Sequence, residues 1–490
     1  MEPGWAFMLT EPKNPPCRTK SAISSDETGE TRWSEGAQEG GCRMTKRGKR
    51  KRNYEPVIVP FSATPAGEPP SVTVWANPSV WTERMLTTLQ TGVQGGKWHT
   101  LIDKVFSPKN LFAASRKVIG KAGAAGVDHQ SVEDFEENSR EERDRLHIAL
   151  RDDTYIPQAV RRVWIPKPGS NEQRPLGVPT VRDRVVQTAL LNVLEPIFDE
   201  TFSDYSYGFR HGRGCHHALE RVEALLEAGY VHVVDADLKS YFDTIPKDRL
   251  LALVGEKISD RRVLGLMEMF LEQGVLEDLR KWTPEAGTPQ GAVISPLLAN
   301  IYLNPLDHLL ESVGFAIVRY ADDFVVLCKS REAAGIALTK IQSWVETNGL
   351  TLHPTKTKIV DAREQSFDFL GYAFRGKLRL PRTKSLKKLK DSIREKTRRA
   401  NGHGMSYICG KLSPQLRGWF HYFRHCHWTV FRDLDKWTRG RLRSILRRRS
   451  KRRGRGRGND HQRWPNAYFA EQGLFNLGAA HGQFVQSSKR

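Results

Sequence analysis

Apolar and polar positions change their rhythm several times along the 490 residues. Residues 1–75 are rich in Gly, Pro, Ser and Glu, show little periodicity, and are expected to be disordered. Over residues 81–153 the spacing turns helical, with Trp98, Leu101, Ile102 and Val105 at helical intervals. Residues 120–128 hold too many glycines for a helix interior and predict a loop. No Gly-Lys-Ser/Thr follows it, so it is not a phosphate loop. Two extended runs, 163–166 and 174–180, flank a Pro-Gly-Ser-Asn loop and predict a hairpin. An apolar-periodic helix opens at Val181 and runs towards Phe198. The β-branched run 231–234 predicts a strand, and residues 315–318 and 324–327 predict two strands around a tight turn. Ser295 suits a helix N-cap and Pro296 a first helical position, with Leu297, Ile301 and Leu309 continuing an apolar face. Further on, Leu412, Leu416, Trp419, Phe420 and Phe423 form one helical stripe, and Phe431, Leu434, Leu442 and Ile445 another.

The tight turn carries the sharpest chemistry, in Arg319-Tyr320-Ala321-Asp322-Asp323-Phe324. Asp is a common turn residue, so the simplest reading is a solvated hairpin tip. Two adjacent carboxylates on a rigid hairpin also suit a two-magnesium phosphoryl-transfer site, which draws a further carboxylate from elsewhere in its sheet. Residues 231–243 supply it: a β-branched run leads into Asp235-Ala236-Asp237, and Tyr241-Phe242 follow. Asp235 and Asp237 share a face by the two-residue period of a strand. Asp237 is the better candidate, because it stands at the strand's exit where its side chain can reach solvent.

Composition narrows the class. The length suits two or three domains, and 39% hydrophobic residues suffice for real cores. No apolar run approaches membrane-spanning length, and the first residues lack the plan of a secretory signal. Six cysteines form no Cys-x-x-Cys pair, so neither a zinc ribbon nor a disulfide framework is indicated, and a cytoplasmic location fits. The net charge of +21 is concentrated: residues 377–457 carry a net +23 and the remainder −2. Such a block marks a nucleic-acid surface rather than a generally basic protein. The earlier patch Lys46-Arg47-Gly48-Lys49-Arg50-Lys51-Arg52 is better read as a solubilising charge run. Cys215-His216-His217 and residues 421–427 lack a second cluster at ligand spacing, which disfavours zinc.

The aspartate segments resemble the palm of reverse transcriptases, in which Tyr-x-Asp-Asp pairs with an aspartate followed five residues later by an aromatic. Neighbouring segments narrow the resemblance to the reverse transcriptase–maturases encoded by group II introns, over about residues 96–477. They include Gly287-Thr288-Pro289-Gln290-Gly291, Leu352-His353-Pro354-Thr355-Lys356, Phe369-Leu370-Gly371-Tyr372 and Gln415-Leu416-Arg417-Gly418-Trp419. Two departures stand out: His211-Gly212-Arg213-Gly214 replaces Pro-Gly-Arg-Ser, leaving Arg210 and Arg213 without an assigned role, and Gly291-Ala292 replaces Gly-Gly.

The resemblance implies an α/β (α+β) right-hand polymerase, with fingers, an antiparallel palm sheet and a helical thumb/maturase domain. Expected boundaries are 1–75 for the disordered segment, 76–150 for an N-terminal extension and 151–376 for fingers and palm. The thumb/maturase domain would occupy 377–477 and a tail 478–490, with no room for the DNA endonuclease of some relatives. Mg2+ would be held by Asp237, Asp322 and Asp323. Lys356 would protonate the leaving pyrophosphate. The nucleotide would meet Lys167, Arg174, Leu238, Phe242, Gln290 and Gly291. Phe242 would exclude ribonucleotides sterically, and Gly287 and Gly291 would let backbone approach a ligand. RNA would meet Arg417, Arg447, Arg448, Arg449, Lys451, Arg452 and Arg453, the last six in a flexible phosphate-binding run. The partners implied are intron RNA, an RNA template, a DNA primer and deoxynucleoside triphosphates, with no membrane. A splicing factor with a silent polymerase and a reverse transcriptase repurposed by its host are the alternatives.

Overall fold

The computed structural model describes residues 72–93, 95–166, 173–277, 280–282, 287, 291–376, 378–452, 454 and 458–487. Its strands, in chain order, are β1 (Val160–Pro166), β2 (Gln173–Val178), β3 (His232–Asp237), β4 (Val275–Glu277), β5 (Arg280–Trp282) and β6 (Ala316–Tyr320). They continue as β7 (Asp323–Cys328), β8 (Lys358–Asp361), β9 (Phe367–Phe369), β10 (Tyr372–Arg375) and β11 (Leu378–Pro381). Helices fill the intervals and most of the chain beyond β11.

Three sheets form. The fingers sheet has the order β2-β1-β4-β5, the palm sheet β6-β7-β3-β8, and a small third sheet β11-β10-β9. The palm sheet is antiparallel throughout. Its side-chain period of two sorts residues into two faces. Val234, Ala236, Ile317, Phe324 and Val326 join the core shared with helices Ser295–Ser312 and Arg331–Thr347. Val233, Val318, Val325, Leu327 and Val360 join a second core with helix Cys215–Glu227. That second core runs without a break through Phe367, Phe369, Tyr372 and Phe374 into Leu412, Leu416, Phe423 and Phe431. Each such buried aromatic contributes about 1.5–3 kcal/mol. Palm and thumb are therefore cemented by one apolar cluster.

The hairpin anticipated at 163–180 forms as β1–β2, and Thr180 caps helix Val181–Asp199 by accepting from Asp183 N at 3.1 Å. Several expectations need correction. Helix Pro108–Lys121 continues through Gly120, so the loop begins only at Ala122. Ser295 is the first residue of its helix rather than its cap, because Ile294 already has helical backbone angles. The expected thumb start at 377 falls between β10 and β11, which pair, and the helical part begins at Thr383. Residues 72–75 form a helical turn whose Trp75 stacks on His211, whereas the rest of the expected disordered segment lies outside the described residues. Most of the expected tail is helix Leu477–Ser487, whose first amides donate to Asp435 and whose Phe484 packs on His425. Among the described residues, no helix is long and apolar enough to cross a membrane.

Candidate active site

β6 and β7 are joined by only two residues, Ala321 and Asp322, with Tyr320 opposite Asp323. Ala321 has φ +59°, whereas Asp322 is not among the positive-φ residues. That sign pattern belongs to a type II′ hairpin turn, whose first position ordinarily prefers glycine. β3 lies against β7 in a register that sets Asp237 directly opposite Asp323. Opposed residues project from the same face with Cβ atoms about 4.5–5.5 Å apart. Asp235, two residues back, shares that face. The turn thus brings Asp322 beside an opposed carboxylate pair at the sheet's end.

The electrostatics show the crowding. Burial pushes the Asp323 carboxyl up to about 8, and the negative charges of Asp322, Asp235 and Asp237 add to the rise. Burial likewise raises Asp235 to about 6, partly offset by Lys358. Oxygen-only donors gathered against their mutual repulsion suit a hard divalent cation such as Mg2+. Among the described residues, no group of three or more acidic, His or Cys side chains is arranged to hold a metal ion by itself.

Lys356 belongs to the same cluster. Its Nζ lies 2.9 Å from Asp237 Oδ2, and Lys358 Nζ is 3.9 Å from Asp235 Oδ2. Backbone bonds from Lys239 N to Thr351 O and from His353 N to Asp237 O stitch this segment to the end of β3. Lys358 and Asp235 were not anticipated as neighbours. The signal was their placement at strand positions that share the carboxylates' face.

Just beyond β3, Tyr241 is 1% exposed and donates its hydroxyl to Ala299 O at 2.7 Å, whereas Phe242 beside it is 8% exposed. Leu238 is buried and bridges to Leu352. Both glycines let backbone approach backbone. A Cβ on Gly287 would meet Asp243 Cα and Phe242 O at 2.7 Å, and one on Gly291 would meet Gly177 O at 2.4 Å. Gly287 itself thus packs on the backbone of Phe242 and Asp243, and Gly291 on that of Gly177 in β2. Lys167 and Gln290, and the side chain of Arg174, lie outside the described residues. Arg210 is a brace, paired with Asp199 at 2.6 Å and donating to Ser203 O and Ser206 O. Arg213 pairs with Asp204.

The thumb arginines divide. Arg417 is exposed and stacks 5.4 Å from the Phe475 ring centre. Arg448, Lys451 and Arg452 are exposed, and Arg453 lies outside the described residues. Two members of the expected flexible run are tied down: helix Trp428–Arg449 carries Arg447, paired with buried Asp460 at 2.5 Å, and Arg449, which donates to Asn401 O and His403 O. Lys390, Arg394 and Arg441 surround Trp437 at 5.9, 5.6 and 5.5 Å, a cationic cluster that helical stripes alone did not reveal. The rings of His216 and His425 meet at a 46° tilt with centroids 5.1 Å apart, and burial pushes His425 down to about 3.

A carboxylate hairpin on an antiparallel palm sheet, with fingers before it and a helical thumb behind, defines a right-hand reverse transcriptase. Residues 165–374 match the family described as "Reverse transcriptase (RNA-dependent DNA polymerase)", and residues 386–464 match "Group II intron, maturase-specific domain". The chain belongs to the group II intron-encoded reverse transcriptase–maturases. It is 33% identical over 313 residues to Protein YkfC of Escherichia coli, covering 56% of this chain and 82% of that one. It is 38% identical over 216 residues to the group II intron-encoded protein LtrA of Lactococcus lactis, covering 42% of this chain. Nuclear intron maturase 1 of Arabidopsis thaliana is 33% identical over 186 residues, covering 27% of this chain and 26% of its own length. The match spans only 35% of the lactococcal relative.

Proposed function

We propose that this chain copies RNA into DNA and binds the RNA of its own group II intron, assisting splicing and supporting intron mobility. The observation that carries the polymerase reading is the register that sets Asp237 opposite Asp323 beside the Asp322 turn. Asp237, Asp322 and Asp323 would hold two Mg2+ ions, which supply activation of the primer 3′-hydroxyl and neutralisation of the leaving pyrophosphate. Lys356, already at Asp237, brings a positive charge and a proton to the phosphate side of the site. Phe242, the more accessible member of its aromatic pair, would form the floor beneath the nucleotide sugar. The exposed thumb cations would neutralise RNA phosphates. Unpaired Cys215, Cys328, Cys409 and Cys426 suit the reducing cytoplasm where the intron transcript is made.

The test is Asp322→Asn. That variant should lose extension of a DNA primer on an RNA template in Mg2+, while its affinity for structured RNA stays at the parental level. Normal extension would overturn the site assignment.

A further inference from the structure

The turn that presents Asp322 is held from beneath by a side chain only three residues away. Arg319 points from β6 to the face opposite the carboxylates and is 0% exposed. Its Nε donates to Asp307 Oδ1 at 2.8 Å and to Oδ2 at 2.9 Å, and its Nη2 donates to Oδ2 at 2.5 Å. Its Nη1 donates to Asn300 Oδ1 at 2.8 Å and to the carbonyl of Ala321 at 3.0 Å. Asn300 and Asp307, each 1% exposed, lie two turns apart on helix Ser295–Ser312. Asn300 also donates through Nδ2 to Gly208 O at 2.8 Å. Gly208 in turn lies flat on the turn: a Cβ there would come within 2.3 Å of Ala321 N and 2.9 Å of Tyr320 C.

The Ala321 carbonyl belongs to the central peptide of the two-residue turn. Flipping that peptide exchanges type II′ for type I′ and drives the second turn residue to positive φ. Here that residue is Asp322, so a flip would swing its carboxylate away from Asp237 and Asp323. A hydrogen bond to this carbonyl from a fully buried, doubly anchored guanidinium opposes the flip, and a planar five-donor fork can serve three acceptors at once.

We propose that Arg319, set by Asp307 and Asn300, is a positioning residue that fixes the turn peptide and so aims Asp322. This rests on the polymerase reading of the site. Gly208, held by Asn300 and close against Ala321 N and Tyr320 C, completes the clamp. Neither residue touches substrate.

The test uses the full chain with Arg319→Lys, which keeps the charge at Asp307 but cannot reach three acceptors, and with Asn300→Ala and Gly208→Ala, which loosen the clamp by different routes. Active-site titration gives the fraction of competent enzyme, so the single-turnover rate is expressed per active site. Mn2+ affinity is measured separately by electron paramagnetic resonance, on enzyme bound to an RNA template with a 3′-deoxy-terminated primer. The expected result is a per-site rate lower by about 10- to 100-fold, since misplacement by about 1 Å can cost that much. Mn2+ affinity should weaken severalfold, while the half-saturating deoxynucleotide concentration stays within about twofold and RNA affinity is unchanged. A purely structural role would lower the thermal midpoint and the competent fraction but leave the per-site rate and Mn2+ affinity at parental values, and that result in the soluble variants overturns the proposal. If Arg319→Lys does not fold, Asn300→Ala and Gly208→Ala decide. A parent chain that extends no primer would sink the polymerase reading instead.

Discussion

Gly287→Ala puts the contact between Gly287 and the backbone of Phe242 and Asp243 under direct strain. Gly287 has φ +94°, its amide donates to Ile245 O at 2.9 Å, and a Cβ would lie 2.7 Å from Asp243 Cα, Asp243 C and Phe242 O. Ordinary contact begins near 3.4 Å, so the two backbones must part by about 0.7 Å. Holding an L-residue at positive φ costs about 1–2 kcal/mol. Forcing a methyl into packed backbone costs about 1–3 kcal/mol more. A total of about 2–5 kcal/mol should lower the thermal midpoint by several degrees. The displaced atoms belong to the turn Tyr241–Thr244, and Tyr241 is pinned to Ala299. Phe242 therefore takes up the movement. Single-turnover incorporation of deoxy- and ribonucleotides on an RNA template reads the consequence, with Phe242→Ala alongside. Both variants should lose at least about tenfold of the deoxy-over-ribo preference, given the sensitivity of reacting geometry to such shifts. A Gly287→Ala chain with parental melting and parental selectivity would refute the reasoning. Lower melting with unchanged selectivity would show that the glycine serves packing alone and that Phe242 is not the sugar floor.

Three more outcomes follow from where charged side chains sit. Asp183, 1% exposed, accepts from Tyr155 Oη at 2.5 Å, Gln158 N at 3.2 Å and Gln273 Nε2 at 3.0 Å, yet burial raises its carboxyl to about 6. A carboxyl raised on folding adds stability that is full below about pH 4 and lost as pH rises through about 6. The destabilisation caused by Asp183→Asn should therefore be greater at pH 5 than at pH 7.5, by about 1 kcal/mol, in matched denaturation curves; an equal gap at both pH values would contradict the assignment. In the thumb, replacing Arg448, Lys451 and Arg452 by Gln should leave melting unchanged and reduce the slope of log RNA affinity against log salt by about 2. Arg447→Gln should instead weaken folding by up to about 3 kcal/mol, because Asp460 loses a partner while buried. An unchanged salt slope would place the RNA surface elsewhere, with the Trp437 cluster the next candidate.

The hairpin and the third carboxylate were legible because a strand announces itself by a period of two and a tight turn by its polar interruption. What could not be read was register. Nothing local says that Asp237 faces Asp323 rather than Phe324; that depends on pairing between distant strands. Arg319 was visible in the hexapeptide, but an arginine in a strand reads as solvent-exposed. Its partners left a fainter trace: Asn300 and Asp307 are seven residues apart on a helix otherwise lined by Leu297, Ile301, Leu303, Leu306 and Leu310. Two polar residues on one face of a buried helix need a buried partner. In the thumb, stripes identified the core faces. The pairing of Arg447 was hidden, since Asp460 follows a glycine-broken basic run that looks unstructured from composition alone.

The arrangement of the palm sheet joins folding to chemistry. Along β6 and β7 the two faces alternate: Val318, Tyr320, Asp323 and Val325 on one side, Ile317, Arg319, Phe324 and Val326 on the other. A slip of one residue would carry Asp323 into the apolar core and Phe324 out of it. It would also pull Arg319 from Asp307, leaving a charge buried without its partner, the most expensive kind of core defect. Neighbours in sequence thus do opposite work on opposite faces. The buried pair penalises every register of β6 except the one that sets Tyr320 against Asp323 at the Asp322 turn. The carboxylates repel one another and would favour dispersal on their own, so the core beneath them has to supply the order that the site itself opposes.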